Sequence, residues 1–178
     1  STSSARSRSE VEALITDLAS GPLRGATKTR IHGDYHLGQV LASEGDLIIV
    51  DFEGEPSRPV EQRRAKSTPM RDVAGMLRSF AYGAETVVRE ITARFGDSEQ
   101  RARNAAIAWR GMIDAAFLDG YGQAVAGSRA AVEDTETQSR LLRLSLLTKA
   151  LYEIDYEVNN RPDWIEIPAR GVLNILDE

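Results

Sequence analysis

RIHGDYHLGQV, residues 30 to 40, sets two histidines, an aspartate, two glycines and a glutamine between stretches that otherwise read as β-strand. Gly33 lets the backbone bend between strand and loop, so Asp34 projects from a tight turn. Gln39 stands five positions after that aspartate. A turn signal at Ser43-Glu44-Gly45-Asp46 then leads to Asp51-Phe52-Glu53. Oxygen donors in this order suit phosphoryl transfer. One carboxylate orients the attacking hydroxyl and takes its proton, while a second carboxylate and an amide oxygen hold magnesium, a hard cation, against the phosphates.

Working outward, Thr29 to His32, Gln39 to Ala42 and Leu47 to Val50 are predicted as three short strands. Upstream, SEVEALITDLA (9 to 19) places Val11, Leu14, Ile15 and Leu18 on one helical face, with Ser9 and Glu12 at capping-box spacing. Downstream the pattern predicts helices over 69 to 82, 84 to 95, about 98 to 125, 134 to 158 and near 167 to 176. The fold class is mainly α with a small β patch, in a single domain over residues 1 to 178. The loop from Glu53 to Thr68 is long and charged, as functional loops often are. Its Arg58, Arg63, Arg64 and Lys66 read as a solvated run.

Along 134 to 158, Leu144, Leu147, Leu151, Ile154 and Val158 share one sector, expected to face a core. Lys149, Tyr152, Glu153 and Tyr156 fall on the opposite, exposed side. There, aromatic rings could stack a sugar while the charges meet its hydroxyls; packing against a neighbouring helix is the plainer fate of the same tyrosines. Trp109 reads as core, and Trp164 as an anchor for the last helix.

Composition narrows the function. With 178 residues and 42% apolar content the chain can bury a real core. A net charge of -5 with scattered basic residues argues against a nucleic-acid partner. Having no cysteine, the chain has neither a disulfide framework nor a thiolate site. No run approaches the roughly 18 apolar residues of a membrane span, and STSSARSRSE lacks a signal-peptide core, so a soluble cytoplasmic protein is expected. The polar start without methionine leaves open an excerpt of a longer chain.

Two other chemistries fit parts of the motif. His32, Asp34 and His36 alternate as ligands of a hydrolytic transition metal could, yet with two histidines and no cysteine in the chain a zinc centre would need carboxylates to complete it. A binding module without catalysis would have no use for Asp34, Gln39 and Asp51 together. HGD alone could be an ordinary turn, and Asp51 alone a strand-end carboxylate. Their ordered combination favours a phosphotransferase, matching in outline the H-R-D-x-x-x-x-N and D-F-G segments of protein kinases.

HGDYHLGQVL, DFEGEPSRPVEQRRAKSTPMRDVAGMLRSFAY and KALYEIDYEVNNRPDW together resemble the C-terminal lobe of bacterial maltokinase, within the aminoglycoside-phosphotransferase-like, protein-kinase-like superfamily. The resemblance spans essentially the whole chain. It implies ATP-dependent phosphorylation of maltose at the anomeric hydroxyl to maltose 1-phosphate, feeding glycogen and α-glucan synthesis, with trehalose synthase fused or associated. By position it implies Asp34 as the catalytic aspartate, with Gln39, Asp51 and Glu53 at the Mg2+ site. His32 and Asp72 would support the catalytic loop, and His36, Lys149, Tyr152, Glu153 and Tyr156 would bind substrate. Gln39 departs from the superfamily asparagine by one methylene, and Asp72 reads equally as a first-turn acid favouring the helix dipole. A complete kinase also needs a glycine-rich cover and a phosphate-pairing lysine. GPLRGATK, residues 21 to 28, lacks P-loop spacing, so the N-terminal nucleotide lobe is expected outside this chain. A kinase of another sugar, an amino alcohol or an aminoglycoside is the alternative.

Overall fold

The computed structural model describes residues 8–21 and 26–177. The expectations for STSSARSRSE up to residue 7, and for the breakers at 22–25, lie outside the described residues. Six helices and one hairpin are described: α1 (Arg8–Ser20), β1 (Val40–Ser43), β2 (Asp46–Ile49), α2 (Val60–Arg64), α3 (Met70–Phe95), α4 (Glu99–Val125), α5 (Thr135–Asn160) and α6 (Glu166–Asp177). They form two compact units, one holding α1, α5 and α6, the other residues 27–131.

In the first unit, Leu147 and Ala150 of α5 and Val172 and Ile175 of α6 make a core, covered by Val11, Leu14 and Ile15 of α1. Full burial of a leucine such as Leu147 is worth about 1.5–3 kcal/mol, so this seam holds three helices that would be marginal alone. Asp134 caps α5, its carboxylate accepting from the Thr137 amide at 2.7 Å. Ser9 lies inside α1, after Arg8, which displaces the predicted capping box. The predicted faces of α5 also need correction. Val158 is exposed, whereas Glu153 and Glu157 are buried, Glu157 at 1%. Hydrophobic periodicity takes a carboxylate for a solvent residue, but Glu157 accepts from Arg161 Nε at 2.9 Å and Nη2 at 2.7 Å, and a charge paired in this way can be buried.

In the second unit, α3 runs unbroken through Gly83, where two helices were predicted. Its buried stripe, Met70, Val73, Ala74, Leu77, Ala81, Ala84 and Val88, is continuous, and tertiary packing outweighs the propensity cost of one glycine. α4 packs along α3. Phe80 takes Trp109 and Phe117 edge-on, at ring separations of 6.2 and 5.7 Å. Trp109 is nonetheless 40% exposed, at the rim of this contact and outside the core assigned to it. Only two of the three expected strands form. β1 and β2 pair antiparallel, Val40 with Ile49 through Ser43 with Asp46. The turn between them carries Glu44 and Gly45 at φ of 50° and 92°, the left-handed pair of a tight hairpin. Thr29 makes only an isolated bridge with Ser67, so 29 to 32 is an extended tether. Gln39 ends a single 3-10 turn instead of starting a strand.

Candidate active site

Helix α3 builds this region. Asp72, in its first turn, accepts from the His32 amide at 2.7 Å and the Gly33 amide at 2.9 Å, one carboxylate oxygen each. One turn on, Gly75 lies so close to the loop that an added Cβ would meet the Tyr35 carbonyl oxygen at 2.6 Å. Ser79 Oγ then accepts from the Leu37 amide at 2.9 Å. Asp72, Gly75 and Ser79 fall on one helical face by their spacing, and together they hold the backbone of residues 32 to 37. Gly75 and Ser79 escaped the sequence reading. A small and a polar residue in line with Asp72, beside the apolar stripe of the helix, were the available signal.

Within the loop, Gly33 at φ 87° makes the bend. His32 Nδ1 accepts from the Asp34 amide at 3.3 Å, and His32 Nε2 bonds the Val50 carbonyl at 2.8 Å. These partners select the tautomer protonated on Nε2 and occupy both ring nitrogens. The ring also packs on Phe52 at 4.9 Å. His36 turns back on its own segment, Nδ1 accepting from the Gly38 amide at 3.1 Å, with Nε2 4.0 Å from Asp34 Oδ2. Both histidines thus serve the loop, and among the described residues no three His, Asp or Glu side chains gather into a metal cage.

The second acidic segment is joined to the first. The Val50 amide donates to the Gln39 carbonyl at 2.9 Å, and Gln39 Nε2 donates to Asp51 Oδ2 at 3.1 Å. Asp51 sits at φ 61°, a left-handed conformation that aspartate tolerates better than most residues and that carries a cost of order 1 kcal/mol. Glu53 is exposed, and its carbonyl accepts from Arg63 Nη1 at 3.4 Å. A Cβ on Gly33 would come within 3.3 Å of Gly54 Cα, so the two segments touch backbone to backbone. Asp51 and Gln39 offer one carboxylate and one amide, an oxygen set suited to Mg2+, which fills its remaining positions with water and phosphate oxygens. The donor set fits such a cation. The Gln39 amide nitrogen faces Asp51 here, so presenting its oxygen to a cation requires a flip of the amide.

Burial raises the Asp72 carboxyl above the usual carboxylate value, while the amides of Gly33 and His32 oppose the shift. The Tyr35 and Tyr121 phenols are raised, first by burial and then by the Asp72 charge. A cavity of about 860 Å³ is bounded by Tyr35, Phe52, Asp72, Phe117 and Tyr121. Neither Asp34 nor Asp51 lines it, but their chain neighbours Tyr35 and Phe52 do.

The residues expected to bind substrate from α5 belong to the other unit, and on it they do not share one exposed face. Glu153 is buried, the Lys149 ammonium lies 5.1 Å over the Tyr152 ring, and Tyr156, 45% exposed, faces Arg161 at 5.6 Å. Arg161 also lies 5.2 Å over Trp164.

No protein-family model matches the chain. It is 31% identical over 156 residues to a protein of Streptacidiphilus jiangxiensis, covering 88% of this chain and 33% of that protein. It is 31% identical over 176 residues to one of Mycolicibacterium smegmatis, covering 96% and 40%. Both relatives are glucosamine kinases. Among solved structures, glucosamine kinase in complex with glucosamine, ADP and inorganic phosphate aligns at a TM-score of 0.68 and 25% identity, over 95% of this chain and 46% of that one. A second crystal form of glucosamine kinase gives 0.67 and 26%. The chain therefore spans a third to two fifths of the curated glucosamine kinases it matches. These likenesses support a sugar-kinase family and not maltokinase specifically, and they lend nothing to maltose, glycogen or trehalose synthase. No helix among the described residues is long and apolar enough to cross a membrane.

Proposed function

We propose that this chain carries the phosphoryl-transfer half of an ATP-dependent sugar kinase, with glucosamine the acceptor to be tried before maltose. The observation that carries the reading is the joined acidic pair: Asp34 on a loop gripped by Asp72, and Asp51 bonded to Gln39 on the segment that touches it. Similarity to glucosamine kinases along 88–96% of the chain favours the amino sugar.

In this reading a sugar hydroxyl oxygen bonds the γ-phosphorus of ATP as the bond from that phosphorus to the β,γ-bridging oxygen breaks, and ADP departs. Asp34 orients the hydroxyl and takes its proton, a contribution of about 10²–10⁴ in rate. Asp51 and Gln39 would hold Mg2+, which supplies charge neutralisation at the phosphates. Gly33, Asp72, Gly75 and Ser79 pre-set the loop, so little reorganisation accompanies reaction. The hairpin leaves Leu41, Leu47 and Ile48 at least half exposed. Such a surface suits burial by a nucleotide-binding lobe elsewhere in the full-length protein, and the isolated segment is expected to be nearly inactive.

The test is phosphorus NMR on the full-length protein with ATP, Mg2+ and either glucosamine or maltose, beside its Asp34→Asn variant. A sugar phosphate formed from glucosamine and lost in the variant is expected. Product from maltose alone would overturn the acceptor assignment, and equal turnover by the variant would overturn the role of Asp34.

A further inference from the structure

Glu55 is an unusual residue for an exposed, charged loop: only 7% of it is accessible. Its carboxylate receives Arg58 Nε at 2.6 Å, and its carbonyl receives the Arg58 amide at 3.0 Å, so the pair closes a compact turn. Burying an unpaired carboxylate is costly, and removing one partner of a buried pair strands the other charge. A second cation, Arg71, stands on the first turn of α3 and feels the charges of this pair. Burial, and after it the Arg58 charge, lowers the Arg71 guanidinium from its ordinary value, while Glu55 and Asp72 act in the opposite sense. Arg71 Nη1 also reaches Ser67 Oγ at 3.4 Å, and Ser67 pairs with Thr29 through two 2.9 Å backbone bonds.

Arg71 and Asp72 are therefore consecutive residues with complementary tasks. Asp72 fastens the loop that carries Asp34. Arg71 reaches Ser67, and Gly54, next to Glu55, is where the segment carrying Asp51 meets Gly33.

We infer that Glu55 is a positioning residue: with Arg58 it closes the buried turn that holds the segment of residues 51 to 58 with Gly54 against Gly33 of the Asp34 loop, and so sets Asp51 and Gln39 for cation binding. This rests on the kinase reading above. Residues that orient cation ligands from outside their shell typically change affinity or activity about 10–100-fold when altered.

The test uses the full-length protein with Mn2+ and ADP, Mn2+ binding being followed by electron paramagnetic resonance without turnover. Glu55→Gln is expected to weaken Mn2+ binding about 10-fold or more, and to lower kcat while the acceptor KM stays within about twofold. Unchanged Mn2+ affinity in a folded Glu55→Gln protein would overturn the inference. Should that variant fail to fold, Arg58→Gln, at a partly exposed position, decides in its place: weaker Mn2+ binding with an unchanged melting temperature upholds the anchor, and unchanged binding overturns it. Asp51→Asn separates the two levels. If it too leaves Mn2+ binding intact, the assignment of Asp51 as a cation ligand fails, and with it the premise of the inference.

Discussion

Gly75 and Gly83 sit two turns apart on α3, and replacing each by alanine should move stability in opposite directions. In a helix interior alanine is favoured over glycine by about 1 kcal/mol. At Gly83 nothing opposes that gain, since the new Cβ would lie 3.7 Å from Leu37 Cδ1, an ordinary contact. At Gly75 the Cβ would meet the Tyr35 carbonyl oxygen at 2.6 Å, and the obstacle is backbone. Restoring a normal contact needs about 0.8 Å of separation between helix and loop, and overpacking of this kind costs about 1–3 kcal/mol. The same movement stretches the 2.9 Å bond from Leu37 to Ser79 and the 2.7 Å bond from His32 to Asp72, at about 1 kcal/mol each if lost. Gly75→Ala should thus be destabilised by about 1–3 kcal/mol net, and Gly83→Ala stabilised by up to about 1 kcal/mol. Turnover should separate the two further, because a misplacement of about 1 Å in a catalytic group can cost about 10²-fold. Urea unfolding and initial rates on the full-length protein measure both quantities. A Gly75→Ala protein as stable and as active as Gly83→Ala would refute the close approach of α3 to the Tyr35 carbonyl.

Three further outcomes are expected. Ser79→Ala should cost about 0.5–1.5 kcal/mol in urea unfolding by removing the acceptor of the Leu37 amide; no loss would mean that the bond adds nothing over water. Leu147→Ala, at a fully buried position, should cost about 2–5 kcal/mol, and a smaller loss would show that the α5–α6 seam collapses around the cavity. Asp72 carries a pH signature: its folded carboxyl is raised, so the folded state holds the proton more tightly than the unfolded chain. Its contribution to stability therefore declines as pH rises from the usual carboxylate range through the raised folded value, and is level above it. Asp72→Asn should lack that decline, and a wild-type-minus-variant difference in unfolding free energy that grows with pH would contradict the sign.

The helices were legible because apolar spacing reports burial directly. Val11, Leu14, Ile15 and Leu18 face inward on α1, and the tight turn at Glu44 and Gly45 was visible as a turn signal. What failed were particular inferences that took polarity for exposure or an apolar run for a strand. Glu157 and Glu55 are buried because paired charges can be, and pairing across a helix turn or a loop leaves no periodic trace. Residues 29 to 32 look like a strand but find no ladder beyond Ser67. Trp109 carries the bulk of a core residue, yet it meets Phe80 edge-on and stays 40% exposed. In the candidate site, Asp34, Gln39 and Asp51 stood out through their spacing. The helix face that holds them did not, because Gly75 and Ser79 work on backbone atoms, which every sequence possesses.

The same distinction explains why the motif alone does not choose between acceptors. Asp34 in the proposed role meets one hydroxyl and its proton, and the Asp51–Gln39 pair meets a cation and phosphates. None of these contacts reports the rest of the acceptor. A ring bearing an amino group and a disaccharide present the same reacting oxygen to the loop, and discrimination between them comes from contacts that bind the unreacting atoms. A sequence argument centred on HGD and DFE can therefore reach phosphoryl transfer and no further. Acceptor choice has to be argued from residues outside the motif, and on α5 the face chosen for that purpose holds one residue, Glu153, that is buried, while Lys149 lies over Tyr152.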